Sequence, residues 1–161
     1  MSQRAKEIAA RFTAFNQEMI TFVDNCSAEE WRKVCSGEGW TVGVVAHHVA
    51  AGHFGAIDFV RTIAAGEAMP EFTMKAIDQM NAQHANEHAN CTKEEVLGLL
   101  RENGSAFAGY LEGLPEADLA RTGYLAAIGG DVSARQLIEM VIFQSGREHL
   151  DSMKAATKTS S

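Results

Sequence analysis

Residues 41–66 read TVGVVAHHVAAGHFGAIDFVRTIAAG, and the spacing within this stretch decides the fold class. Thr41 is a residue of the N-cap type, and Val42, Val45, Val49, His53, Ile57, Val60 and Ala64 recur by threes and fours, the period of a helix with one buried face. Three histidines, Asp58 and Arg61 interrupt the apolar run, so it reads as a bundle helix and not as a membrane span. The same period appears on both sides of it. From Gln3 to Asp24 it is carried by Ile8, Phe12, Phe15, Met19 and Phe22. Thr92-Lys-Glu-Glu95 has the capping-box pattern and opens a helix with Val96, Leu100, Phe107, Leu111 and Leu114 on one side. Ser133-Ala-Arg-Gln136 has the same pattern and predicts a last helix running to about Ala156.

The intervening segments read as connections. Ser27-Ala-Glu-Glu30 caps a short helix through Trp31, Met69-Pro-Glu-Phe72 is a break, and residues 73–90 are polar with helical character. Pro115-Glu-Ala-Asp118 begins a helical turn, and residues 121–132, with Gly129-Gly130, read as a loop. Strand alternation is absent. Four long amphipathic helices predict an all-α four-helix bundle with short extra helices in the connections, one domain over residues 1–156 and a frayed tail over 157–161.

At 161 residues such a chain buries enough surface to fold without disulfides or a structural metal. Its net charge of -7 and the lack of any Lys/Arg cluster argue against nucleic acid as a partner. The first residues are too polar for a signal peptide, and Cys26, Cys35 and Cys91 form no CxxC pair. These features predict a cytoplasmic protein with free thiols and no membrane partner. Phosphate-binding glycine loops, GxSxG and HExxH are all missing.

Chemistry is therefore sought among the six histidines. On the helical wheel His53 falls in the middle of its stripe, His48 lies at the edge, and His47 points further away. On the last helix Ile138, Val141, Ile142, Ser145, His149 and Met153 share one side, which turns His149 inward. By spacing alone, His48 and His149 are either satisfied core histidines or ligands from facing helices. His84, His88 and Cys91 stand at i, i+4 and i+7 and offer three N/S ligands that would suit zinc. Cys91 directly precedes the Thr92 cap, however, and the neighbours Gln83, Asn86, Glu87 and Asn90 read as solvated surface, so the alternative is a pair of exposed or pocket-edge histidines. Arg147 reads as a surface residue, and Trp31 and Trp40 as packing residues at helix junctions.

Trp40-Thr41-Val42 followed by Val45-Ala46-His47-His48-Val49 resembles the W-S/T-V-x-x-V/I-L-A-H-L signature of the DinB-like (YfiT-like) four-helix bundle superfamily, which includes the mycothiol-dependent maleylpyruvate isomerases. The family's histidine stands eight residues after the Trp, which is His48 here. Ser145-Gly-Arg-Glu148-His149-Leu150 is similar to its final H-x-x-x-H-L motif. The resemblance implies a divalent metal, zinc or nickel, held by His48 and His149, with Ser145 at the position of the missing third ligand. It further implies a low-molecular-weight thiol as cofactor, a thiol-dependent S-transferase or isomerase activity on a small molecule, and a homodimer. Ser145 supports the alternative of a non-catalytic bundle, its metal site decayed, that binds a small ligand or acts as a dimeric interaction protein.

Overall fold

The computed structural model describes residues 2–158, and the side chains of all of these except residues 53–56. The four long segments of the bundle are α1 (Gln3–Asn25), α3 (Val42–Ala64), α5 (Lys93–Glu112) and a composite last segment over residues 134–157. Three shorter helices fill the connections: α2 (Ala28–Trp31), α4 (Met74–Glu87) and α6 (Glu116–Ala120). The starts are set by side-chain caps. Ser2, Ser27, Thr41, Thr73, Thr92 and Ser133 each accept a bond from a backbone N–H in the following turn.

Helix α5 packs along α1 and α3, and the apolar stripes meet in two core clusters. One holds Phe12, Ile57, Phe107, Leu111 and Ile138, and the other holds Met19, Val45, Leu100, Leu150 and Met153. Two buried amides tie the helices to one another. The Asn16 side chain donates to the Leu100 carbonyl, and that of Asn103 to the Ala50 carbonyl, both at 2.9 Å. Gly104 makes room for Asn16, since a Cβ there would collide with its amide. Gly43 does the same beneath the Trp31 ring, whose Nε1–H donates to the Cys91 carbonyl at 3.0 Å. Trp31 is thus the junction residue its position suggests.

Two features differ from the sequence reading. Residues 121–132 are not wholly a loop: β1 (Thr122–Leu125) and β2 (Gly130–Ser133) pair antiparallel, with Gly129 at φ 67° in the turn. Four-residue strands are too short to show a period of two, so the pairing leaves no pattern in the sequence. The last segment is also not one α-helix. It begins as α7 (Ala134–Leu137), widens into a π-helical run over Ile138–Ser145, and resumes as α8 (Gly146–Thr157). Runs of i→i+5 bonding are rare, and they often occur at functional sites. Ile138 and Ile142 remain buried, but Val141 is exposed to the extent of 42% and borders a cavity.

Among the described residues no helix is long and apolar enough to cross a membrane.

Candidate metal centre

Helix α3 carries two adjacent histidines that face different neighbours. The His48 ring packs edge-on to His149 of α8, with centroids 5.1 Å apart at 82°, and to Trp40 at 5.5 Å. His47, expected to point away, is instead buried, with 6% of its surface exposed. Its ring stacks on His88 at 3.9 Å, and its Nδ1 lies 2.8 Å from Nε2 of His84. The reason is α4, which lies against α3 and covers the side that the wheel assigned to solvent. His84 also contacts His48 at 5.9 Å, so five histidines from three helices form one continuous cluster.

Of the two readings of His84 and His88 as exposed or pocket-edge, the structure shows the second for His84, which lines the cavity, and leaves both residues half-buried. Gln83, Asn86, Glu87 and Asn90 are exposed as expected, while Asn81, His84, Ala85 and His88 form a half-buried face of α4. That face recurs at i, i+3, i+4 and i+7, a signal the sequence does contain. His47, His84 and His88 each place a ligand nitrogen within 4.8 Å of the others, so this group could hold a metal ion. Cys91 does not join them. Its thiol donates to the Gly43 carbonyl at 3.2 Å, and burial pushes its pKa up to about 11, away from the thiolate form a metal requires. The expectation that His53 packs between Val49 and Ile57 falls on a side chain outside those described.

On the other side of His48, His149 has a partner that sequence reasoning did not foresee. Glu38, in the loop before α3, places Oε2 3.0 Å from His149 Nδ1, and Ser152 donates to its Oε1 at 2.6 Å. The carboxylate accepts the Nδ1 proton and leaves Nε2 as the free ring nitrogen. A histidine anchored through one nitrogen by a carboxylate is the usual outer arrangement of a metal ligand. Gly37 and Gly39 flank Glu38, and Gly39 takes φ 74°, where other residues are strained.

His48, His84 and His149 line a cavity of about 420 Å³. The rest of its wall is apolar: Phe59, Phe72, Ile77, Met80, Leu125, Val141 and Ile142, with Asn81 and Ser145 as further polar groups. Among the described residues no Lys or Arg borders it. Ser145 and His149 line the same cavity from the junction of the π-helical run and α8. Arg147 points elsewhere, paired with Glu18 at 2.9 and 2.8 Å on the outer surface.

Burial, reinforced by the neighbouring rings of His149 and His84, lowers the pKa of His48 from 6.5 to about 4. Burial and then His88 and His84 lower that of His47 to about 4 as well, and burial and His88 lower that of His84. The free imidazoles are therefore neutral at pH 7, with lone pairs available to a metal. The unfolded chain takes up protons near pH 6.5, whereas the folded one resists until about pH 4. The stability of the metal-free protein should accordingly be full above pH 6.5 and fall as the pH drops through that window to about 4. Urea midpoints measured across this range would show it, and a midpoint that stays flat or rises with acid would contradict the burial of His47 and His48.

Sequence comparison agrees with the architecture: residues 11–150 match the DinB superfamily. The chain belongs to the DinB superfamily. The match spans most of the chain and includes His47, His48, His84, His88 and His149. No curated protein matches this chain in sequence. Among solved structures, YfiT from Bacillus subtilis superimposes with a TM-score of 0.72, covering 98% of this chain and 89% of its own, at 16% sequence identity. YfiT is described as "a probable metal-dependent hydrolase with an unusual four-helix bundle topology". At that identity the likeness concerns the fold, the four-helix bundle in which this chain sets the His48 ring against His149.

Proposed function

We propose that this DinB protein is a metal-dependent enzyme acting on a small, largely apolar molecule held in the cavity beside His48 and His149. The observation that carries the reading is the Glu38–His149 pair, which directs a free imidazole nitrogen to an apolar cavity where a second imidazole, His48, already stands. The donor set fits a zinc- or nickel-class ion, because imidazole suits both and the rings of His48 and His149 come from two different helices and already touch. His48 and His149 would hold the ion, with Ser145 in the place of a third ligand and water completing the shell.

When bound, a divalent cation supplies Lewis acidity and makes a nucleophile available at neutral pH. The chain's own groups do the rest. Glu38 keeps the proton on Nδ1 of His149 and fixes the ring orientation, while Ser152 holds Glu38. Phe59, Phe72, Met80 and Val141 exclude bulk water and bind apolar substrate surface, and Asn81 and Ser145 supply hydrogen bonds that orient it. With water as nucleophile the reaction is hydrolysis, in the manner proposed for YfiT. With a low-molecular-weight thiol it is the S-transfer or isomerisation that the family resemblance implies. The lack of any Lys or Arg among the described residues of the cavity wall favours water over an anionic thiol.

The test is a panel of apolar aryl esters and amides, and a parallel panel of thiol acceptors, with zinc- or nickel-loaded protein. Turnover should require the metal and fall about a hundredfold in Glu38→Gln, the upper range for loss of an outer partner of a metal ligand. Loaded protein that is no faster than His149→Ala on both panels would favour the non-catalytic, ligand-binding bundle that Ser145 suggests.

A further inference from the structure

We propose that His47, His84 and His88 form a second metal site, of the zinc class, that pins α4 onto α3 and so shapes one wall of the cavity. Three observations meet here. The three ligand nitrogens already lie within 4.8 Å of one another, so coordination requires the rings to turn and not the helices to travel. On a tetrahedral ion with bonds of about 2.1 Å the nitrogens would stand roughly 3.4 Å apart, and the His47–His84 contact at 2.8 Å needs only to open slightly. Second, the Nδ1 atom of His84 is buried without a hydrogen-bond partner, a costly state that ligation of the cluster can relieve by reorienting the ring.

Third, among the described residues α4 is only lightly attached. None of its residues is fully buried, and Met74 and Met80 are about half exposed, at 52% each. An element that buries so little apolar surface docks weakly by packing alone. Yet Ile77, Met80, Asn81 and His84 of this helix line the cavity. An ion held by His47 from α3 and by His84 and His88 from α4 bridges the two elements directly. Three imidazoles with one open position for water are a common zinc ligand set, and the half-exposed side of His84 and His88 leaves that position accessible. The site adjoins the His48–His149 pair but shares no ligand with it: one joins α3 to α4, the other α3 to α8.

Zinc titration of the full chain against a chromogenic chelator, with amide hydrogen exchange of residues 74–88, tests this independently of any catalysis. In the parent, free zinc at about ten times its Kd should slow exchange in α4 by about tenfold. His88→Ala, at the half-buried C-cap of α4, should fold, lose the zinc protection of α4 and weaken binding at this site about a hundredfold or more. His149→Ala should leave both unchanged, which separates this site from the one proposed for the reaction. A cobalt-loaded parent should show the visible bands of a tetrahedral site, and His88→Ala should lose them. The proposal is overturned if zinc fails to protect α4 in the parent, if His88→Ala retains the protection, or if only His149→Ala removes it.

Discussion

Replacing Ser145 with histidine is expected to raise zinc affinity at the His48–His149 pair by about a hundredfold or more, since a direct ligand is worth at least as much as the outer partners whose loss costs that factor. The parent offers two imidazoles there, and two ligands hold a first-row divalent ion poorly against water. Residues four apart on a helix are neighbours, and Ser145 and His149 both line the cavity, so a histidine at 145 would stand beside the Nε2 of His149. The cavity of about 420 Å³ has room for the ring, so the packing penalty should be small. Calorimetric zinc titration in the His88→Ala background, which removes the other histidine cluster, reads the gain directly. If the variant folds and binds no more zinc than its parent, residues 145 and 149 do not converge on one point, and the assignment of this pair to the metal falls. The π-helical run ending at Ser145 makes this a strict test, because a change of helical period just before the pair is what would spoil the convergence.

Phe107→Ala should have the largest effect on stability, lowering it by about 3–5 kcal/mol, the usual range for truncating a buried aromatic. Phe107 is fully buried on α5 and meets Phe12 of α1 edge-to-face, with centroids 4.8 Å apart. Removing the ring leaves a cavity where two helices cross and also forfeits the aromatic pairing. Domains have only about 5–15 kcal/mol in total, so the variant would be marginal at 37 °C. The zinc affinity of its folded fraction should nevertheless match the parent's, because Phe107 is not among the residues that line the cavity of His48 and His149. Urea denaturation followed by far-UV circular dichroism, together with zinc titration at low temperature, checks both halves. A loss below about 1 kcal/mol would mean that the site collapses around the missing ring far more completely than packed cores do.

Much of the bundle was legible before any coordinates. The caps at Ser27, Thr41, Thr92 and Ser133 and the stripes Phe12–Phe15–Met19 and Val45–Val49 are local signals, written in residues within a turn or two of each other. The resemblance to the DinB-like signature, through its Trp40-to-His48 spacing, points to a histidine whose ring does meet His149. His47, by contrast, was read as pointing away. A helical wheel knows only one partner surface, and α3 has two, the bundle core and α4. For the same reason the solvated neighbours of His84 and His88 hide the half-buried face of their helix.

By itself, then, the sequence determined what depends on short-range physics: helices, their starts, the all-α architecture and the pair of inward positions on facing segments. The π-helical run, the β1–β2 hairpin, the burial of His47 and the bond between Glu38 and His149 were decided only by the tertiary structure. Each joins or depends on groups whose separation along the chain has no fixed period. Glu38 and His149 are 111 residues apart, and His47 and His84 are 37 apart. What brings such groups together is the summed burial of four helical stripes, which fixes where every loop and side helix must lie and appears in no single stretch of residues.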